Sequence, residues 1–355
     1  MLGEVTARNV RLIQASSLPL GPGINLITGQ NAAGKTTWLE VIHILCRAKS
    51  FSGKHPGALL RAGEEELDIR GHWQAGGRDV QLHVRAGKSE TLPTAGPLAS
   101  RQEYAATVAA IPIQVLGPTS HVLVDGGPES RRRWLDWGVF HVEHGYLEPW
   151  RKFNRVLKQR NGALQQKRPE REIRAWDQQF LPLAIQLEQF RSHYWEQFRQ
   201  QLSEGVSESG NLGSVQFEYQ RGWPEAADLT TLLESTRQQD LERGFTWHGP
   251  QRADLCIRVG GKLVREVSSR GQKKLLAFFM LLTQSAHASQ LSGRPPLLLV
   301  DDLASELDAD NAAVVLSWLQ RLGGQCVMTA IHSESLKLAT EAKMFHVEHG
   351  HIQPA

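Results

Sequence analysis

The chain has 355 residues, 41% of them hydrophobic and 22% charged, which is enough apolar material to bury a sizeable core and calls for an ordinary folded protein. Its formal net charge of +3 permits an anionic partner without demanding one. Cys46, Cys256 and Cys326 are odd in number and far apart, which argues against a disulfide framework or a metal cluster and fits a reducing compartment. No apolar run approaches the roughly 18 to 20 residues of a membrane span, and the opening MLGEVTARNVRL lacks the apolar centre of a signal peptide, so the expectation is a soluble, cytoplasmic protein.

The first chemical motif comes early. GINLITGQNAAGKTTWLEVIHIL reads as a strand, a Gly-rich turn and a helix: Ile24, Leu26 and Ile27 form a short apolar run, and Leu39, Ile42 and Cys46 then recur at helical spacing. Between them stands Gly29-x4-Gly34-Lys35-Thr36. That spacing lets successive backbone N–H groups wrap a phosphate chain at the positive end of a helix, with glycines sparing the turn a Cβ clash. Lys35 is then placed to neutralise the β and γ phosphates, and the Thr36 hydroxyl to bind Mg²⁺.

The middle of the chain is helical and basic. Ile173, Trp176, Phe180, Leu183, Leu187, Phe190 and Tyr194 recur at alternating spacings of three and four, the seam of a helix packed on a partner. A preceding helix around Trp150 to Gln166, returning through the turn at QKRPE, completes a short hairpin. Between Arg151 and Arg174 stand nine Lys or Arg (Arg151, Lys152, Arg155, Lys158, Arg160, Lys167, Arg168, Arg171 and Arg174) against Glu170 and Glu172, a net of +7. Such an arm suits non-specific capture of duplex phosphates, although any one of these residues can equally be a solvated surface charge. Arg131, Arg132 and Arg133 form a second cluster, in which Arg132 or Arg133 can equally be buried in ion pairs. No zinc finger or RNP motif indicates reading of bases.

Further on, in REVSSRGQKKLLAFFMLLTQSA, small polar residues precede a strongly apolar helix whose start offers free N–H groups and a serine hydroxyl to an anion. Then PPLLLVDD presents an apolar run, Leu297 to Val300, short enough for a buried parallel strand. Asp301 falls at its carboxyl end, where open α/β sheets bind ligands, and can hold Mg²⁺ opposite the Gly-rich loop. Asp302 points elsewhere if the strand alternation continues. It either orients and deprotonates an attacking water or caps the next helix or turn.

In order, GQNAAGKT, SSRGQ, VDD and ASELD resemble the ATP-binding-cassette ATPases, in the branch that includes the structural-maintenance-of-chromosomes (SMC) proteins. GPTSHVLVDGGPESRRRWLD (Gly117 to Asp136) and HGPQRADL (His248 to Leu255) bring the resemblance closer, to the RecF family of bacterial recombination and repair proteins. It runs from RNVRL to QCVMTAI. It implies an α/β fold, a P-loop SMC-like ATPase head with an inserted, mainly helical second lobe carrying the short antiparallel hairpin. The lobes would divide as 1–105 and 245–355 for the ATPase and 106–244 for the insertion.

By the same resemblance, Gly29, Gln30, Asn31, Ala32, Ala33, Gly34, Lys35, Thr36 and Thr37 bind ATP, with Thr36 and Asp301 on Mg²⁺ and Lys35 and Asp302 catalytic. Gln114, in IPIQVLGP, reports on the γ-phosphate. Ser269, Arg270, Gly271 and Gln272 form the signature that reaches ATP held by a second subunit, and Asp308 belongs to a segment crossing that interface. The implied activity is weak, DNA-dependent ATP hydrolysis. The ATP-bound homodimer would clamp duplex or gapped DNA and act with RecR and RecO in loading RecA. Asp302 replaces the usual glutamate, which suits slow hydrolysis. Ser268 and Arg270 depart from the common signature, and Val10 replaces the aromatic residue usual before Arg11, the adenine contact. His332 sits about where other cassette ATPases sense the γ-phosphate but is not relied on in this family. Two other classes share the P-loop: a transporter's ATPase subunit, which would lack the basic hairpin and HGPQRADL, and a chromosome tether, which would need a far longer coiled coil.

Overall fold

Strands whose residues are buried throughout mark the centre of the fold. The computed structural model describes residues 1–75, 77–210, 212–335 and 342–355, and the chain divides into two compact units. The first takes residues 1–120 and 293–355 and the second 121–292. In the first unit, β1 (Leu2–Val10), β2 (Ile13–Pro19) and β3 (Ile24–Thr28) precede α1 (Lys35–Arg47). Then come β4 (Leu67–Ala75), β5 (Arg78–Ala86), β6 (Thr91–Ala95), α2 (Arg101–Ala109) and β7 (Ile113–Leu116).

The second unit contributes α3 (Val122–Asp125), α4 (Pro128–Val142), α5 (Leu147–Gln165), α6 (Glu170–Ser207), β8 (Val215–Gln220) and α7 (Leu229–Arg243). It continues with β9 (Asp254–Val259), β10 (Lys262–Leu263), α8 (Val264–Val267) and α9 (Arg270–Ser292). The chain then returns to the first unit with β11 (Leu297–Val300), α10 (Leu303–Glu306), α11 (Ala309–Arg321), β12 (Gln325–Ala330), β13 (Lys343–Glu348) and β14 (His351–Pro354).

Two sheets build the first unit. One is antiparallel, in the order β2-β1-β4-β5-β6; the other runs β14-β13-β3-β12-β11-β7, parallel except for the β13–β14 hairpin. Every residue of β3, β11 and β12 is buried, as expected of parallel strands covered on both faces. One apolar cluster draws Val5, Ile69 and Val84 from the antiparallel sheet, Ile27, Leu299 and Phe345 from the parallel sheet, and Trp38 and Ile42 from α1. The buried Gln325 side chain closes a polar gap in this core: its Nε2 donates to Leu2 O at 2.7 Å, and its Oε1 accepts from Leu2 N at 2.7 Å. Because parallel strands place their carboxyl ends on one edge, the loop after β3 and Asp301 after β11 emerge together. β12 lies between those two strands.

The second unit is a helical lobe with a three-stranded sheet, β10-β9-β8. Its hairpin begins at Leu147, slightly before the expected helix, and turns at Lys167, whose φ is 50°. The returning helix α6 runs 38 residues and carries Pro182 internally, so it extends well past the Tyr194 at which the apolar seam was read. The division of the chain also falls elsewhere than the expected 106–244 insertion. Residues 113–116 belong to the first unit because β7 pairs with β11, while 254–259 belong to the second because β9 pairs with β8. Among the described residues no helix is long and apolar enough to cross a membrane, and no group of His, Cys, Asp and Glu is arranged to hold a metal on its own.

Candidate functional site

Between β3 and α1 the chain makes a tight loop that only certain residues permit. Gly29 has φ +153°, and a Cβ there would sit 2.4 Å from Val347 O, so both backbone angle and space require glycine. Gly34, at the N-cap of α1, has φ 115°. Gly350 N donates to Ala33 O at 2.9 Å, so the β13–β14 turn braces the loop. The first-turn N–H groups of α1 have no intrahelical acceptor, and Lys35, Thr36 and Thr37 line a cavity of about 430 Å³. The opposite wall is Asp301, Asp302, Ser305 and Glu306, with Arg11, Leu12 and Pro118 at its sides. This is anion-binding geometry: helix-end donors and a lysine at the positive end of a dipole.

Lys35 is turned onto the loop itself, its Nζ donating to Gly29 O at 2.7 Å and to Gln30 O at 3.0 Å. Burial lowers the Lys35 pKa, and the charges of Asp302 and then Asp301 oppose that shift. Across the cavity, Thr36 Oγ1 donates to Asp301 Oδ1 at 2.9 Å and Oδ2 at 3.1 Å. From β12 between them, Thr329 Oγ1 donates to Asp301 Oδ1 at 2.8 Å and accepts from Asp302 N at 3.0 Å. Burial raises the Asp301 carboxyl above the usual carboxylate range; the Asp302 charge adds to this, and the two hydroxyl donors oppose it. A hydroxyl and a carboxylate already in contact are the two oxygen donors that a small hard cation takes from a phosphate-binding site, and the residues fit Mg²⁺ in that sense.

The backbone explains how two successive carboxylates reach one cavity. The strand ends at Val300, so the expected in-and-out alternation stops before Asp302, which adopts φ 49° and ψ 55°. In that left-handed turn Asp302 joins Asp301 on the cavity wall. It stands at the N-terminus of α10, but its side chain makes no capping bond. The helix-capping alternative therefore does not account for this carboxylate.

The remaining sequence-read positions are not among the residues that line this cavity. Gln114 is buried within β7 opposite Leu298, about 10 Å along the strand from the level of Asp301, and is not among the cavity-lining residues. Asp308 caps α11, accepting from Asn311 N at 2.9 Å, a bond that lowers its carboxyl pKa. Ser269 and Gln272 form a reciprocal capping box on α9 in the second unit: Gln272 N donates to Ser269 Oγ at 3.2 Å, and Ser269 N donates to Gln272 Oε1 at 2.9 Å. Those two N–H groups are thus already satisfied, leaving Arg270 and Gly271 to offer the helix-start donors. Thr329, Pro118, Ser305 and Glu306 were missed. Ser305 and Glu306 fall within ASELD, Pro118 within GPTSHVLVD and Thr329 within QCVMTAI, but no role was read for them, because they reach the site only where their strands and loops end on the same edge.

The basic clusters also sort differently from their sequence reading. Arg131, rather than Arg132 or Arg133, is the buried member: its Nε and Nη2 donate to Asp254 Oδ1 and Oδ2 at 2.7 and 3.0 Å. Arg132 donates to Ala253 O, and exposed Arg133 pairs with Glu129. On the hairpin, Arg160 is fully buried between Asp177 and Asp240, while the other eight cations are exposed.

Fold and cavity together define the class: a P-loop ATPase head of the cassette and SMC type, with a helical lobe inserted between the loop and the aspartate strand. Residues 1–353 match the family described as RecF/RecN/SMC N terminal domain. The chain is 37% identical to the DNA replication and repair protein RecF of Chromohalobacter salexigens, covering 97% of this chain and 96% of that one. It is 35% identical to the RecF of Thioalkalivibrio sulfidiphilus, covering 99% of each. The chain belongs to the RecF family. Among solved structures it is similar to the recombination mediator protein RecF with ATPrS in the RecFOR pathway (TM-score 0.86, 23% identity, 100% of this chain and 98% of that one). It also resembles, more distantly, an Smc head bound to the C-winged helix domain of ScpA (TM-score 0.62, 14% identity, 100% and 96% covered).

Proposed function

We propose that this chain is a cytoplasmic, ATP-dependent DNA-binding repair protein whose ATP-bound homodimer clamps duplex DNA near single-strand gaps and lets go on slow hydrolysis. The observation that carries the reading is the pairing of Thr36 with Asp301 at 2.9 Å across the mouth of a P-loop cavity. Thr36 and Asp301 would hold Mg²⁺, which would supply positive charge to offset that of the phosphate oxygens. Lys35 would exchange its two loop carbonyls for phosphate oxygens. Asp302, held beside Asp301 by its left-handed turn, would orient and deprotonate the attacking water. Ser269, Arg270, Gly271 and Gln272 of a second copy would complete the site, with Asp308 in the segment that crosses that interface.

The exposed hairpin cations supply a sequence-independent attraction for duplex phosphates. Relatives named for replication and repair, and a similar structure placed in the RecFOR pathway, support cooperation with RecR and RecO in loading RecA and in SOS induction. Steady-state hydrolysis measured against protein concentration, with and without gapped duplex, tests this. A low rate that climbs more than linearly with protein and rises with DNA is expected; a rate linear in protein and indifferent to DNA would overturn the clamp. Lys35→Met should remove ATP-driven dimerisation and DNA binding together.

A further inference from the structure

The second unit carries a surface cavity of about 500 Å³ whose walls include Tyr219, Arg221, Trp223, Trp247, His248 and Arg252. Trp247 is 42% exposed. The guanidinium groups of Arg243 and Arg252 lie over its ring, 4.3 and 4.8 Å from the centroid, and Arg252 also lies 4.9 Å over Phe245. Stacking keeps a guanidinium flat and leaves its N–H edges free, and neither arginine has an ion-pair partner among the described residues.

This surface is held in place from beneath. Trp247 N donates to buried Asp240 at 3.0 Å, Arg160 Nη1 to Thr246 Oγ1 at 2.7 Å, and Arg191 Nη1 to Pro250 O at 2.7 Å. On the facing loop, Arg221 lies over Trp223 at 4.7 Å and spends Nη2 on the carbonyls of Pro224, Glu225 and Ala227. The two loops meet where Gly249 N donates to Gly222 O at 3.3 Å; a Cβ on Gly222 would come within 2.3 Å of Gly249 O.

We propose that this cavity binds an unpaired nucleotide, its base stacked on the guanidinium planes that lie over the tryptophans and its phosphate held by the N–H edges of Arg252, with Arg243 beside it on the same ring. The inference deepens the DNA-binding reading above and rests on it. Guanidinium groups already lie over the Trp223 and Trp247 rings, so a cationic ligand meets like charge. Glu218 and Glu225 on the cavity wall disfavour a bare polyphosphate but can accept from base N–H groups. A nucleotide brings anion, flat π-face and N–H donors together, whereas a paired base keeps its faces inside the stack. A cavity of this size lies within the range of small-molecule sites.

The test uses the full chain and a fluorescent oligodeoxycytidine of about 15 nucleotides, long enough to cover one such stacking site. Without ATP the protein should bind it, Trp247→Ala and Arg252→Glu should each weaken binding about tenfold, and Trp247→Phe should restore most of it. No binding by the unaltered protein, or equal binding by Trp247→Ala, overturns the proposal. So does a poly-glutamate peptide that displaces the probe as well as unlabelled oligonucleotide does, which would mark the cavity as a seat for acidic protein segments. Duplex binding with and without ATP, on the same preparations, reads the clamp separately: its absence alongside Trp247-dependent oligonucleotide binding would overturn the clamp and leave this site standing.

Discussion

Asp301 carries a charge that its surroundings disfavour. Its carboxyl binds a proton more tightly folded than unfolded, because burial first and Asp302 second disfavour the charge. A group raised in this way contributes stability that is present at low pH and lost as pH rises through its folded pKa. Asp301→Asn removes the buried charge, so the nucleotide-free variant should unfold at a higher temperature than the unaltered protein at neutral pH. The gap should close on acidification, and Mg²⁺-dependent ATP binding should be lost. Thermal unfolding across a pH series checks this; a neutral-pH Tm below that of the unaltered protein would refute it. Asp302 poses a backbone question at the next position. With φ at 49°, it occupies the region where a Cβ is penalised, so Asp302→Gly should be more stable than Asp302→Ala by about 1 kcal/mol in urea unfolding, although both lose the carboxylate.

At the scale of elements, α5, α6 and α7 are joined by a buried charge network. Arg160 Nε meets Asp177 at 2.6 Å, Arg160 Nη1 meets Asp240 at 2.9 Å, and Arg237 Nε meets Asp177 at 3.1 Å. Truncating one partner strands a buried charge, so Arg160→Ala should destabilise the chain by about 3–5 kcal/mol, measured by denaturant midpoint at unchanged slope. A loss no larger than that of an exposed arginine such as Arg155 would contradict the network. The sequence could not disclose this role, because Arg160's carboxylates lie 17 and 80 residues away and reach it only after three helices pack. Within a run of nine cations it looked like one more surface charge. The phosphate loop was legible for the opposite reason: its spacing, its glycines and its helix are contiguous, so the motif contains its own geometry. Asp301 was legible because a short apolar run that begins after two prolines gives way directly to two carboxylates, which marks where the strand ends. The shared aim of Asp301 and Asp302 was not, since it depends on one left-handed residue. In SSRGQ, Ser and Gln three apart spelled the capping box that closes α9, a local pattern beneath the reading of those residues as an anion site.

For the whole molecule, the decisive arrangement is a nearly balanced chain with its positive charge concentrated on one arm. A formal net charge of +3 over 355 residues gives little long-range attraction, so DNA affinity must come from local clustering. With Arg160 withdrawn into the core, Arg151, Lys152, Arg155, Lys158, Lys167, Arg168, Arg171 and Arg174 remain exposed. Lys152 pairs with Glu148, and Arg174 with Glu170, so those two are partly neutralised already. Of the six that remain, Lys158, Lys167, Arg168 and Arg171 lie nearest in sequence to the turn of the hairpin at Lys167 and are the candidates for phosphate contact to test together. Changing all four to Gln should leave thermal stability nearly unaltered, because none is buried. Each contact removed should lower the dependence of log affinity on log salt by about 0.9 on duplex DNA, so a slope smaller by about 3 to 4 is expected if all four touch phosphate. An unchanged slope would move the duplex-binding surface off the hairpin, and a slope reduced by about 1 would leave a single contact there. Because the slope counts released counterions, it separates loss of phosphate contacts from a general weakening of the dimer, which would lower affinity at every salt concentration alike.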